Sequence, residues 1–370
     1  MSGPVRFAII GTGWRAEFFL RLAAALPEKL QVACVIGRTQ SSLNRVPARW
    51  HVPVSLDPAD LVRFDPEFVA IAVGWDQTPI LTVDLAERGF HLYVETPPAP
   101  DVEGLRALWA RLAGLAYRVQ VGEQYYRMPG HAARLRLVRD GVIGDPNSVE
   151  IASTHGYHAV ALIRECLGVG TDPVIIDARA FRSRLIDPLG FDGWAADPQP
   201  EPHTTTIATL DFGDGRFGLY NFVENQWWNP LLHRRIVIRG SLGEIVDNTV
   251  LRWACGFPVT SQIEYRRAGV DMSLEGNELK EVTFDGKVVY ANPYLSTRLS
   301  EDDIAVADHL RAEGAYVRGE SGPVYPLAQG IHDHALGLAI ARSAQLGIPV
   351  RVADEPWMSR PVLKKAGAAR

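Results

Sequence analysis

The chain has 370 residues, 47% of them apolar and 22% charged, with a formal net charge of −5. That length exceeds one typical core and points to two domains, 1–124 and 125–370, while the scattered arrangement of its 38 basic residues argues against a nucleic-acid partner. No charged-then-apolar leader opens the sequence and no apolar run approaches a membrane span, so a cytoplasmic protein without a membrane partner is expected.

Val5 to Ile10 reads as a buried strand that runs into Gly11-Thr12-Gly13-Trp14-Arg15-Ala16 and then into a helical stretch over 17–26. The pattern is GxGxxA, a form of the dinucleotide fingerprint. Gly11 permits the tight turn, Gly13 lets a pyrophosphate approach the backbone, Ala16 allows close packing, and free N–H groups at the helix start face the anion. A second strand over 31–36 ends at Gly37-Arg38-Thr39-Gln40, where an NAD-selective site would place an acid for the adenosine ribose. Arg38 stands there instead. A 2′-phosphate partner and a solvated loop arginine are both open readings, and the chemistry leans toward NADP over NAD.

Strands at 68–73, 90–95 and 117–122 alternate with helices at 79–88 and 101–112, which predicts a doubly wound parallel sheet with its ligand site at the strand C-terminal ends. After a helix over 130–140 the pattern becomes strand-rich, at 148–154, 174–181, 204–212, 216–223, 234–239, 244–253 and 263–267, with one helical interruption at 158–167. Gly213-Asp214-Gly215 is a hairpin signal. The second domain is therefore expected to be built on a large, mostly antiparallel open sheet, closed by helices at 302–313 and 327–346. Residues 187–202 read as a long loop. Cys34, Cys166 and Cys255 form no ligand or disulfide pattern and are read as small core residues.

The segment Gly89-Phe90-His91-Leu92-Tyr93-Val94-Glu95-Thr96-Pro97-Pro98-Ala99 resembles the Gly-Lys-His-Val-x-x-Glu-Lys-Pro-x-Ala signature of the glucose-fructose oxidoreductase, inositol dehydrogenase and rhizopine catabolism (Gfo/Idh/MocA) family. The resemblance extends through Gly122 to Arg127 and Pro129, Gly141 to Gly144, Gly156-Tyr157-His158, Ile238 to Glu244 and Ser343. It implies an N-terminal Rossmann domain that binds NAD(P), and a C-terminal α/β domain that walls the substrate pocket and joins subunits through its sheet as a homodimer or homotetramer. It also implies hydride transfer on a sugar-like or cyclic polyol substrate. Two departures bear on that chemistry. The family's catalytic lysine position holds Thr96, which brings no charge, and the family's two aspartates near its histidine are Thr154 and Ala161, leaving His158. These losses also suit a non-catalytic NAD(P)-binding sensor or scaffold, and the family includes lyases and hydrolases that oxidise transiently with bound NAD.

On this reading the catalytic candidates are His158 as acid/base, with Thr96 and Tyr126 orienting the oxygen. The cofactor candidates are Gly11, Thr12, Gly13, Trp14, Arg15, Arg38, Glu95 and Pro97. His155, next to Thr154, is expected to point to the opposite face from it. Tyr125 and Arg127 fall at the cleft floor, and Trp194, Trp227, Trp228, Asp192 and His203 are weaker contacts to a substrate. His332 and His334 with Asp333 have the wrong helical spacing for a metal site, and none is expected.

Overall fold

The computed structural model describes residues 3–190, 192–273 and 275–358. In the N-terminal sheet the strands are β1 (Val5–Ile10), β2 (Leu30–Ile36), β3 (Val54–Ser55), β4 (Phe68–Ile71), β5 (Leu92–Val94) and β6 (Val119–Val121). They lie in the order β3-β2-β1-β4-β5-β6, all neighbours parallel. Helices α1 (Trp14–Ala25), α2 (Thr78–Glu87) and α3 (Val102–Leu112) supply crossovers. The strand order reverses between β1 and β4, and ligands bind at such a switch point. β1, β4 and β5 are nearly continuous apolar runs because both faces are covered.

Four further long helices are α4 (Pro129–Arg139), α5 (Gly156–Leu167), α6 (Glu301–Val317) and α7 (Leu327–Leu346), and short helical turns lie at Gln40–Leu43, Arg45–Trp50 and Leu61–Phe64. The remaining strands are β7 (Pro146–Ala152), β8 (Val174–Leu185), β9 (Leu189–Gly190), β10 (Gly193–Trp194), β11 (Glu201–Asp211), β12 (Phe217–Val223), β13 (Arg235–Gly240), β14 (Gly243–Val246), β15 (Thr249–Ala254), β16 (Phe257–Ala268), β17 (Glu278–Phe284), β18 (Lys287–Ala291) and β19 (Val350–Val352). Eleven of them form the large mixed sheet, mostly antiparallel, with β12 parallel to β7. The expected fold class is the observed one.

By compactness the chain falls into two units that are interleaved in sequence: Met1–Asp145 with Arg239–Ile331, and Pro146–Ile238 with His332–Arg370. The first unit thus takes in residues that a boundary at 124/125 would assign to the second domain. Within the first unit, α6 starts at a capping box in which Ser300 and Asp303 exchange side-chain to backbone hydrogen bonds. Its residues Ile304, Val306, Ala307 and Leu310 share one core with Val5, Phe7, Phe19, Phe68 and Tyr93. Gly314 lets α6 sit close to β1, since a Cβ there would lie 2.5 Å from the Val5 side chain. In the second unit, the Arg164 guanidinium on α5 pairs with Asp333 on α7, both side chains being 3% exposed. Ser343 accepts from the Ala178 N–H at 2.9 Å and donates to the Ile348 carbonyl at 2.8 Å.

Several expectations need correction. The stretch 244–253 is two strands, β14 and β15, because Asp247 turns the chain with φ 52°. The 187–202 loop contains the short β9–β10 ladder. β17 escaped notice because Lys280 and Glu281 interrupt its apolar pattern, and β18 because it is only five residues long. Cys34 and Cys166 are buried, but Cys255 is exposed at φ 54° in the turn between β15 and β16.

Candidate functional site

The glycine turn sits at the switch point, as the sequence predicts. Gly11 has φ 123°, and a Cβ built on it would lie 2.0 Å from the Ala72 carbonyl oxygen, so the chain passes β4 only because no side chain is there. Gly13 meets nothing within 4 Å. It is the N-cap of α1, and the first intrahelical bond runs from the Glu17 N–H to the Gly13 carbonyl, leaving the preceding N–H groups at the free end of a 12-residue helix. This open glycine before a helix start is the cradle a pyrophosphate requires.

A cavity of about 850 Å³ opens over this turn. It is bordered by Gly11, Thr12, Gly13, Trp14, Arg15, Arg38, Glu95 and Thr96 among the sequence candidates, and the size suits a cofactor. The loop after β4 adds Trp75, Asp76 and Gln77, which the motif reading did not single out. The rule that ligands sit beyond strand C-termini would have pointed to them. The indoles of Trp14 and Trp75 stand exposed at the cavity. The Asp76 carboxyl is held below its usual range by the Gln77 amide, with a smaller contribution from Arg38. A 2′-phosphate brought to Arg38 would therefore also feel Asp76.

At the β5 end of the cavity a charged cluster lies under the surface. Arg15 Nε is 2.9 Å from Glu95 Oε1, and Arg15 Nη2 is 3.5 Å from Gln124 Oε1. Gln124 in turn donates to Asp302 at 3.3 Å. Burial pushes the Glu95 carboxyl up against the opposing pull of Arg15. Burial opposes the Arg15 charge too, but Glu95 and Tyr93 outweigh it and its pKa rises. Glu123, buried beside them, is pushed up to about 8 by desolvation.

The other candidates lie elsewhere. Pro97 is buried behind Thr96 and does not border the cavity. Tyr126 donates to the Val324 carbonyl at 3.1 Å, stacks on Tyr325 and accepts from Arg127, whose guanidinium pairs with Asp308. In the second unit, His158 is buried on the first turn of α5. Its ring centroid is 4.5 Å from Tyr157 and 5.1 Å from His155, and Tyr157 is 5.5 Å from His334. His155 was expected to turn away by strand alternation, but β7 ends at Ala152, so the alternation does not reach it. Desolvation, then His158, lowers the His155 pKa to about 4, which keeps that ring neutral at physiological pH. Trp194 is 71% exposed and fills no core edge. His332 Nδ1 lies 3.3 Å from the Trp357 indole nitrogen. No helix among the described residues is long and apolar enough to cross a membrane.

Residues 5–123 match the profile of the Gfo/Idh/MocA group, described as an oxidoreductase family with an NAD-binding Rossmann fold. The match covers the parallel-sheet part of the chain, from β1 to just past β6. No curated protein matches the sequence. Among solved structures, a myo-inositol dehydrogenase from Corynebacterium glutamicum is similar over 95% of this chain and 99% of its own, with a TM-score of 0.66 at 17% identity. An oxidoreductase from Agrobacterium radiobacter in complex with NAD+, L-tartaric acid and magnesium covers 94% of this chain and 98% of its own, with a TM-score of 0.66 at 15% identity. The WlbA dehydrogenase of Bordetella pertussis, in complex with NADH and UDP-GlcNAcA, covers 95% of this chain and 99% of its own, with a TM-score of 0.62 at 15% identity. At these identities the likeness to these structures shows the fold alone.

Proposed function

We propose that the protein is an NAD(P)-dependent oxidoreductase that moves hydride to or from a carbon bearing a hydroxyl on a sugar-like or cyclic polyol substrate. The observation that carries this reading is the cavity built over Gly11, Gly13 and the free end of α1, with Arg38 and Thr96 both on its border. Sugar-like ligands in related structures, UDP-GlcNAcA in WlbA and L-sorbose in levoglucosan dehydrogenase, support the substrate class. The bound NAD(P) supplies the hydride acceptor or donor. The chain supplies the rest: α1 and Gly13 hold the pyrophosphate, Trp14 and Arg38 border the dinucleotide, Thr96 and Tyr126 orient the reacting oxygen, and His158 takes or gives its proton. Glu95 and Pro97 shape the loop at the end of β5. Residues 1–124 are the cofactor domain of this reading. The exposed face bearing Ile175, Phe181, Ile207 and Phe217 is its surface for a homodimer or homotetramer.

Arg38 makes NADP the favoured cofactor. Either dinucleotide should raise the melting temperature of the cofactor-free protein, since a ligand selective for the folded state stabilises it. Arg38→Asp should then shift the affinity ratio toward NAD by roughly tenfold or more, read by fluorescence titration. No thermal shift with either cofactor would remove the dinucleotide reading, and an unmoved ratio would remove Arg38 from it.

The neutral residues at Thr96, Thr154 and Ala161 favour a second reading, a cofactor-binding protein without turnover. For the enzyme, Thr96→Lys should raise polyol turnover by about 10² and His158→Ala should abolish it. Background turnover unmoved by both substitutions is the signature of the second reading.

A further inference from the structure

Arg15 follows the glycine turn on the first helical turn of α1, yet its side chain runs inward along Phe18 and Phe19, its guanidinium carbon 5.0 and 5.3 Å from their ring centroids. It ends on Glu95, the first residue after β5, with the two side chains 11% and 14% exposed. Both residues border the cavity beside Thr96. The 2.9 Å approach is a charge contact, and neither Arg15 Nε nor Glu95 Oε1 has a well-aligned hydrogen bond.

In a cleft with this strand order the adenosine lies over the end of β2 and the pyrophosphate on α1, so the remaining half of the dinucleotide extends over the ends of β4 and β5. That half is the nicotinamide, which carries one positive charge when oxidised and none when reduced. We propose that the Arg15–Glu95 pair is the charge element set against the nicotinamide and that it fixes the relative affinity for oxidised and reduced cofactor. Arg15 opposes the oxidised ring, and Glu95 favours it. Their balance matters because a nearly buried pair is poorly screened by solvent. Thr96 contributes no charge to that balance. A guanidinium does not release its proton in the neutral range, so Arg15 acts on charge and position, and the proton that accompanies hydride transfer travels through another group.

This inference rests on the dinucleotide reading of the cleft, and its test uses binding alone. The unmodified protein, Arg15→Gln, Glu95→Gln and the double variant are titrated with the oxidised and the reduced form of NADP, and likewise of NAD, at low ionic strength. Arg15→Gln should favour the oxidised form by about tenfold in the affinity ratio and Glu95→Gln should favour the reduced form by about tenfold, since each strands the other's charge. A tenfold change corresponds to about 30 mV in the potential of the bound couple. The double variant, with no net change in charge, should fall within about threefold of the unmodified ratio. Should Arg15→Gln fail to fold, Glu95→Gln against the double variant carries the same comparison. Ratios that stay put, or that move in the same direction in both single variants, overturn the proposal while leaving the cofactor site intact. Binding of neither NADP nor NAD, in either redox state, by the unmodified protein overturns the cofactor reading and the inference together.

Discussion

Glu313→Gln should stabilise the protein by about 3 kcal/mol at pH 7 and by nothing measurable at pH 4. Glu313 lies on α6 with no exposed surface, and neither carboxylate oxygen has a hydrogen-bond partner. Desolvation raises its pKa from 4.5 to about 8. Below pH 4.5 the group is neutral in both the folded and the unfolded chain and costs nothing. Between 4.5 and 8 the unfolded chain releases a proton that the folded chain keeps, so stability falls as pH rises through this window. The glutamine variant has no such proton. Urea melts from pH 4 to pH 9 should show the two proteins together at the acid end and diverging above it, and parallel curves would mean that Glu313 is paired or hydrated in solution.

Gly13→Asp should cost at least about 100-fold in dinucleotide affinity, because its carboxylate would stand in the phosphate position and repel the pyrophosphate at the end of α1. The same substitution should leave the melting temperature of the cofactor-free protein within about 2 °C, since a side chain at Gly13 meets no neighbour within 4 Å. Gly11→Ala makes the contrast. Its Cβ would press on the Ala72 carbonyl, so it should lose stability with or without ligand. A Gly13→Asp chain that binds normally would remove this turn from the cofactor site.

The parts of the fold legible in the sequence are those whose residues face one environment throughout. β4 is apolar along its length, and β1 at every position but Arg6, because helices cover both faces of their sheet, and the turn at Gly11 announces itself through glycines. β17 did not announce itself, since Lys280 and Glu281 sit between its buried ends and only their place in a sheet explains them. Arg15 was legible as part of a motif but not as an inward-facing cation, because its direction is set by Glu95, 80 residues away in the chain. Glu313 gave no sign at all: a glutamate on a helix reads as solvated until the residues packed around it are known. His155 misled for a local reason, the end of β7 three residues earlier.

The packing of α6 against β1 and β4 bears on how the polypeptide is made. Residues through Val121 leave the ribosome with all six strands of the parallel sheet, but Val5 and Phe7 lack the cover of Ile304, Ala307 and Leu310 until some 180 further residues are synthesised. Between those moments the nascent sheet presents an apolar surface, and its final closure is a long-range event with a large loop-closure cost. Expression of residues 1–124 alone should therefore yield insoluble or chaperone-bound material, whereas a chain retaining 294–317 in reach of that surface has the means to shield it.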